Sequence, residues 1–376
     1  MDVPNHHRHD VCVIGAGLAG LSVAALLAER RRVILLEREP QIAYHSTGRS
    51  AALFAEAYGN APVRALTRAS RAFYFEDRGG RCFTSPRGEL FVAAEAQRDA
   101  LEALEAELRP GAPQLRRLSG GEASALCPAL PREGLIGGLL DPDSRDIDVA
   151  AVVDHYHRQL RAHGGELRRD AEVEAIERGA HGFTVAAGEE RYEAPILVDA
   201  AGAWADRVAS LAGVAPIGLQ PRLRTAVRVA AGAFSIADWP CVADVEERWY
   251  FRPDAQALMI SPADETPTEP CDARPDELTV AETIERIESA TRLRIDRPIA
   301  TWAGLRTFAA DRSPVIGYER GAPGFFWLAG QGGYGIQAAP AIAVLAAALL
   351  EERTPPAALT EQGVDAGTLD PARLRD

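Results

Sequence analysis

Along the first forty residues, short runs that are apolar throughout alternate with a stretch whose apolar positions recur at helical spacing. Residues 11–14 (Val-Cys-Val-Ile) form an uninterrupted apolar run and predict a strand buried on both faces. Leu18, Leu21, Ala25 and Leu26 share one face of a helix over 18–30, and 33–36 is a second buried strand closed by Glu37. Strand, helix and strand within so short a stretch predict a βαβ unit, and so a parallel sheet with helices on its faces.

Further along, 44–59 is polar and Gly/Ser-containing and reads as a long loop with a helical start near Ser50. Helices are expected over 63–75, 98–108 (amphipathic, on the surface), 119–129, 150–163 before Gly164-Gly165, and 279–291. Strands are expected over 89–93 and 135–140, the latter followed by a turn-rich stretch at 141–146, and 191–199 carries another that runs into Ala200-Ala201-Gly202. After Pro221 the texture becomes alternating and antiparallel, at 225–229, 249–252 and 258–261. The last third returns to a buried strand at 325–329, a glycine cluster and an Ala-rich helix over 336–350. The expected fold class is therefore α/β. A Rossmann-like dinucleotide domain (1–80, 145–217, 299–376) interleaves with an α+β substrate domain on an antiparallel sheet (81–144, 218–298).

Composition narrows the chemistry. The net charge of −13 argues against a nucleic-acid partner. No apolar run is long enough to span a bilayer, and the polar, His-rich start lacks the apolar core of a secretion signal, so a cytoplasmic enzyme is expected. Cys12, Cys82, Cys127, Cys241 and Cys271 form no CxxC pair, and no histidines sit at metal-ligand spacing, so no metal is expected. The chain contains no lysine, and all 41 basic residues are arginine. Schiff-base pyridoxal chemistry and the lysine-bearing phosphate loop are both excluded.

The main signal is Gly15-Ala16-Gly17-Leu18-Ala19-Gly20, set between the first strand and its helix. Gly15 permits the tight turn, Gly17 lets main chain approach a pyrophosphate, and Gly20 lets helix and strand pack closely. Glu37, twenty-two residues after Gly15, is placed to accept a hydrogen bond from a ribose hydroxyl. A dinucleotide site follows.

Four blocks in order make the chain resemble the FAD-dependent amine oxidoreductases, the family of D-amino-acid oxidase, glycine oxidase and sarcosine oxidase. They are the fingerprint, His45-Ser46-Thr47-Gly48-Arg49-Ser50-Ala51, Val198-Asp199-Ala200-Ala201-Gly202-Ala203-Trp204, and Gly330-Gln331-Gly332-Gly333-Tyr334-Gly335-Ile336-Gln337. Within the family the chain is most similar to the bacterial D-arginine dehydrogenase branch, through 44–52, 302–306 and 332–337. The resemblance implies non-covalent FAD, held by these blocks together with Arg38 and Gly304. The positive end of the helix starting near Gly335 would face the flavin C2=O.

The resemblance also implies hydride transfer from the Cα of a D-amino acid to flavin N5. The imine formed hydrolyses to a 2-oxo acid and ammonia. Arg306 and Arg224 would clamp the substrate carboxylate, Tyr250 would add a hydrogen bond, Tyr58 would close a lid, and Glu89 would meet a cationic side chain. Alternation could place Arg222, Arg224 and Arg228 on one face. Leu53 and Ala55 stand where the D-arginine branch has His and Thr, which makes a drier pocket. The electron acceptor would be a quinone or oxygen. Two alternatives remain: an N-substituted amino acid, opine or 2-hydroxy acid as substrate, or a non-catalytic flavin-binding subunit.

Overall fold

The computed structural model describes residues 6–76 and 82–375, so the expected domain border at 80/81 lies outside the described residues. Four sheets are formed among the described residues. The central one orders its strands Glu166–Arg168, Val33–Leu36, Val11–Ile14, Ile196–Asp199, Phe325–Ala329 and Val315–Tyr318. All pairs are parallel except the last.

Both faces of this sheet are covered, which explains its uninterrupted apolar strands. Val11, Val13, Val33, Leu35 and Val198 pack against Leu18–Leu27, Ala61–Phe75, Val149–Ala162 and Gly335–Leu350. Cys12, Ile34, Leu197 and Trp327 face the other way, onto Ala205–Leu211 and a four-stranded sheet that includes Gly182–Ala187 and Glu190–Ala194. Burial pushes the Cys12 thiol up to about 12, so this cysteine is an inert core residue.

The largest sheet has eight strands, ordered Pro298–Phe308, Gln220–Ala230, Ala257–Ser261, Tyr250–Asp254, Cys241–Asp244, Glu89–Ala94, Leu135–Asp141 and Arg116–Ser119. It is antiparallel apart from Cys241–Asp244 against Glu89–Ala94. Leu90, Val227, Phe251 and Ile260 bury one face beneath Glu277–Ala290. The opposite face carries Arg224, Tyr250 and Glu89 toward the parallel sheet's cavity.

Three expectations need correction. No helix starts near Ser50: residues 41–49 turn and Leu53–Phe54 is a short strand. Ser50 Oγ accepts from the Ala52 N–H at 3.0 Å, and Ala52 sits at φ +45°, a local bond and a backbone angle that no helix accommodates. The strand expected within 191–199 is two strands, because Pro195 has no N–H to continue a ladder; Glu190–Ala194 and Ile196–Asp199 join different sheets. The short helix expected over 119–129 ends earlier, spanning Gly120–Leu126 with Ser119 and Glu122 as a reciprocal cap.

The contact between glycine turn and helix is close. A Cβ on Gly20 would stand 2.0 Å from the Gly15 carbonyl oxygen. Gly20→Ala should therefore push the first helix off its strand and cost about 2–3 kcal/mol. Thermal unfolding of variant and parent checks this, and an unchanged midpoint would refute the contact.

Candidate active site

One cavity of about 790 Å³ is lined by the glycine turn, residues 43–53, the Ala200–Trp204 turn, the antiparallel sheet and the start of the last long helix. Gly15 adopts φ +100°, and its N–H donates to the Leu36 carbonyl at 2.8 Å. The helix that follows has no side-chain cap at Gly17. Its first turn instead meets the cavity, with the Leu18 N–H on Thr47 Oγ1 at 3.1 Å. Nothing but Thr47 Oγ1, at 3.5 Å, approaches the place of a Gly17 Cβ. A bare, positively polarised helix start opening on a cavity suits a diphosphate. Glu37 is 7% exposed and lines the same cavity; its carboxylate accepts the Ala16 N–H at 2.8 Å and the Glu39 N–H at 3.0 Å, so its orientation is set.

The 44–51 loop is tied to the strand Pro298–Phe308. Ser46 Oγ donates to the Leu305 carbonyl at 2.6 Å, and Trp302 Nε1 donates to the Arg49 carbonyl at 3.1 Å. Arg49 itself donates to the Ala273 and Ala303 carbonyls at 2.8 and 3.1 Å and pairs with Asp272. Its guanidinium is thus engaged by the protein, and it shapes the loop while lining the cavity. Arg38 lies 4.8 Å over the Trp204 ring, and His45 pairs with Glu39 at 2.9 Å. Ser50, Ala51, Ala201, Gly202 and Gly304 also line the cavity.

At the C-terminal block, Gly332 adopts φ +55° with a Cβ position only 2.3 Å from the Phe308 ring. Gly330 makes the preceding turn at φ +69°. The helix Gly335–Leu350 begins after Tyr334, again with no side-chain cap, and Gly335, Ile336 and Gln337 line the cavity. Two uncapped helix starts therefore open on one space. Gln331 Nε2 is buried there without a partner. Gln337 bridges the helix to the lid loop: its amide donates to Thr67 Oγ1 at 2.9 Å and accepts the Ala55 N–H at 3.3 Å.

The expected substrate residues gather on the same cavity. Arg222 pairs with Arg306 and Arg224 with Gly304 across two antiparallel strands, which puts Arg224 diagonally beside Arg306. Of Arg222, Arg224 and Arg228, Arg224 lines the cavity, whereas Arg228 pairs with Asp254 at 3.1 Å and Arg222 donates to the Glu265 carbonyl at 3.0 Å. Arg306 donates to Tyr58 Oη at 3.3 Å and lies flat on Gly333, whose Cβ would stand 2.6 Å from its Cζ. Arg224 Nε donates to the Asp264 carbonyl at 2.8 Å, with its guanidinium 5.9 Å over the Tyr250 ring. Burial pushes the Tyr58 phenol up to about 12 against the pull of Arg306, so Tyr58 stays a hydrogen-bond donor at neutral pH.

Glu89 is 7% exposed, and its Oε2 has no partner. Burial, with smaller help from Asp141 and Glu247, pushes its carboxyl up to about 8. Leu53 and Ala55 share the cavity wall. Two groups went unread in the sequence. Glu265 faces Arg224, Arg306 and Arg312 at 3.4, 3.9 and 2.8 Å, and Glu247 lines the cavity at φ +54°. Nothing in an acidic loop such as Asp264-Glu265 distinguishes it from a solvated one. Among the described residues no three His, Cys, Asp or Glu side chains gather as metal ligands would, and no helix is long and apolar enough to cross a membrane.

The family model described as "FAD dependent oxidoreductase" matches residues 10–349. The chain is 30% identical over 338 residues to the tRNA 5-methylaminomethyl-2-thiouridine biosynthesis bifunctional protein MnmC of Burkholderia pseudomallei, covering 82% of this chain and 48% of that protein. It spans about half the length of the curated relatives it matches. In fold it is similar to glycine oxidase from Geobacillus kaustophilus (TM-score 0.80, 24% identity, 93% and 96% of the two chains). It is also similar to L-alpha-glycerophosphate oxidase from Mycoplasma pneumoniae, whose structure has FAD bound (TM-score 0.82, 21% identity, 92% and 95%).

The raised Glu89 carboxyl makes stability depend on pH. Its folded value of about 8 exceeds the usual glutamate value near ~4.3 of an unfolded chain, so between them the folded state holds a proton that the unfolded state has lost. Stability from this site is full below that window, falls by about 1.4 kcal/mol per pH unit across it, and levels off above. Denaturant unfolding from pH 5 to 9 should show Glu89→Gln gaining on the parent through the window. A pH-independent difference would mean Glu89 titrates normally.

Proposed function

The chain belongs to the family of FAD dependent oxidoreductases, and from that premise we propose that it oxidises the CH–NH2 group of a D-amino acid held by its carboxylate. One observation carries the reading. Arg306 and Arg224 converge on the wall of the cavity that the two uncapped helix starts share, and among the described residues Arg306 has a single, long hydrogen bond, to Tyr58. A buried guanidinium with donors to spare is suited to a carboxylate.

In this reading the Gly15 turn, Glu37, the 44–51 loop and the helix start at Gly335 hold FAD non-covalently. The parallel sheet and its helices form the cofactor domain, and the antiparallel sheet covers it. FAD, when bound, supplies the acceptor for the hydride leaving Cα. Arg306 and Arg224 fix the carboxylate, and Tyr250 steadies it. Tyr58, tied to Arg306, covers the site and excludes water, while Glu89 faces the substrate side chain. The apolar wall of Leu53 and Ala55 supports a second reading, an N-substituted amino acid, whose extra alkyl group such a wall would hold.

The purified protein should be yellow, and anaerobic addition of a D-amino acid should bleach it where the L-enantiomer does not. Colourless protein that FAD cannot reconstitute, or flavin that no amino acid or N-alkyl amino acid reduces, would overturn the assignment. Arg306→Ala should raise KM about 100-fold, the loss of one charge-assisted carboxylate contact. An unchanged KM would remove Arg306 from the clamp.

Side-chain preference should follow Glu89. The ratio of kcat/KM for D-arginine to that for D-citrulline should rise about tenfold from pH 7 to 9, because Glu89 ionises through about 8 and only its anion attracts the cation. Glu89→Gln should flatten that rise, and a profile unaltered by the substitution would separate Glu89 from recognition.

A further inference from the structure

We infer that Glu265 is a specificity-determining counter-charge, which sets from outside the cavity how tightly the arginine pair grips a carboxylate. The inference rests on the clamp proposed above. Glu265 and Arg312 make a two-pronged ion pair, at 2.9 and 2.8 Å. The same Glu265 Oε1 lies 3.4 Å from Arg224 and 3.9 Å from Arg306. Neither Glu265 nor Arg312 lines the cavity, whereas both clamp arginines do. Three guanidiniums against one carboxylate leave the cluster at +2, with Glu265 outside the cavity that Arg224 and Arg306 line.

The surroundings show that Glu265 supplies charge more than position. Arg306 is fixed by the Gly333 main chain and Tyr58, and Arg224 by the Asp264 carbonyl. Arg224 also donates to Glu265 Oε1 at 3.4 Å, a longer bond than the 2.8 Å one to Asp264. Glu265 is itself held by main chain. Asp264 accepts from the Thr225 N–H and hydroxyl at 2.6 and 2.9 Å, and the Leu223 N–H donates to the Thr266 carbonyl at 2.8 Å. Arg312, at φ +61°, is turned onto the Phe308 ring at 4.0 Å, which aims it at Glu265. Burial raises the Glu265 carboxyl, but the hydrogen bonds and charge of Arg312, with the charges of Arg224 and Arg306, outweigh it and hold it ionised at neutral pH.

A fixed negative charge this close to two partly desolvated guanidiniums weakens their hold on a second anion. The device suits a clamp that must also let go of the 2-oxo acid product, which carries the same carboxylate.

The test is a charge ladder in the FAD-loaded enzyme at pH 7, with propionate as the probe and its Kd read from the flavin absorbance change. Glu265→Gln leaves the cluster at +3 and should bind propionate about tenfold tighter. Arg312→Gln leaves it at +1 and should bind about tenfold weaker, and the double variant should return to the parent value. Malonate, with two charges, should climb the same ladder more steeply. Glu265→Ala should repeat the gain if the Gln variant loses its flavin. A Kd that rises or stays level in both Glu265 variants, or a double variant that fails to return, overturns the inference, since a structural role can only weaken binding. A parent enzyme reduced by D-amino acids yet blind to propionate overturns it too. If the ladder holds and no amino acid reduces the flavin, the inference stands and the proposed reaction falls.

Discussion

Three chain segments meet at the mouth of the parallel sheet with no side chain between them. A Cβ on Gly15 would lie 2.5 Å from the Ala200 carbonyl oxygen, and one on Gly20 would lie 2.0 Å from the Gly15 carbonyl oxygen. This contact holds the first helix with its start on the cavity, where Thr47 Oγ1 accepts the Leu18 N–H and the N-cap residue Gly17 offers no side chain. An uncapped helix start forgoes about 1 kcal/mol of helix stability, and the start at Gly335 forgoes it again. An anion or a carbonyl bound at these starts would restore it, which would link cofactor binding to folding stability through the two helix ends.

The chain carries −13 overall, while Arg224, Arg306 and Arg312 against Glu265 make a local cluster of +2. Composition supports this arrangement. With no lysine in the chain, the cations of this cluster are guanidiniums, which hold a proton through burial more firmly than an ammonium does.

Elements buried on both faces were legible because burial alone dictates their composition: 11–14, 33–36 and 325–329 are apolar at every position. The helix Arg98–Leu108 was legible from its one apolar stripe. The strand Pro298–Phe308 escaped notice as a strand because its cavity-facing positions carry Gly304 and Arg306, where a core-facing strand would carry apolar residues. That break in the pattern is the signature of the site. Arg306 and Arg224 were singled out by resemblance, and both line the cavity. Glu265 had no sequence signal at all, since its meaning comes from three arginines at positions 224, 306 and 312.

On the proposed reading, Leu53, Ala55 and Glu89 act together on what the side-chain end of the cavity accepts. Glu89 lines the same cavity as Leu53 and Ala55, and burial raises its carboxyl to about 8. At pH 7 Glu89 is therefore mainly neutral and can sit beside an aliphatic side chain without an uncompensated charge. A cationic side chain must first displace that proton, which at one unit below the carboxyl's own value costs about 1.4 kcal/mol. An ion pair in a poorly solvated pocket gains more than that. On the proposed reading the apolar wall leaves room for a basic substrate while admitting apolar ones, and the proton on Glu89 decides between the two classes.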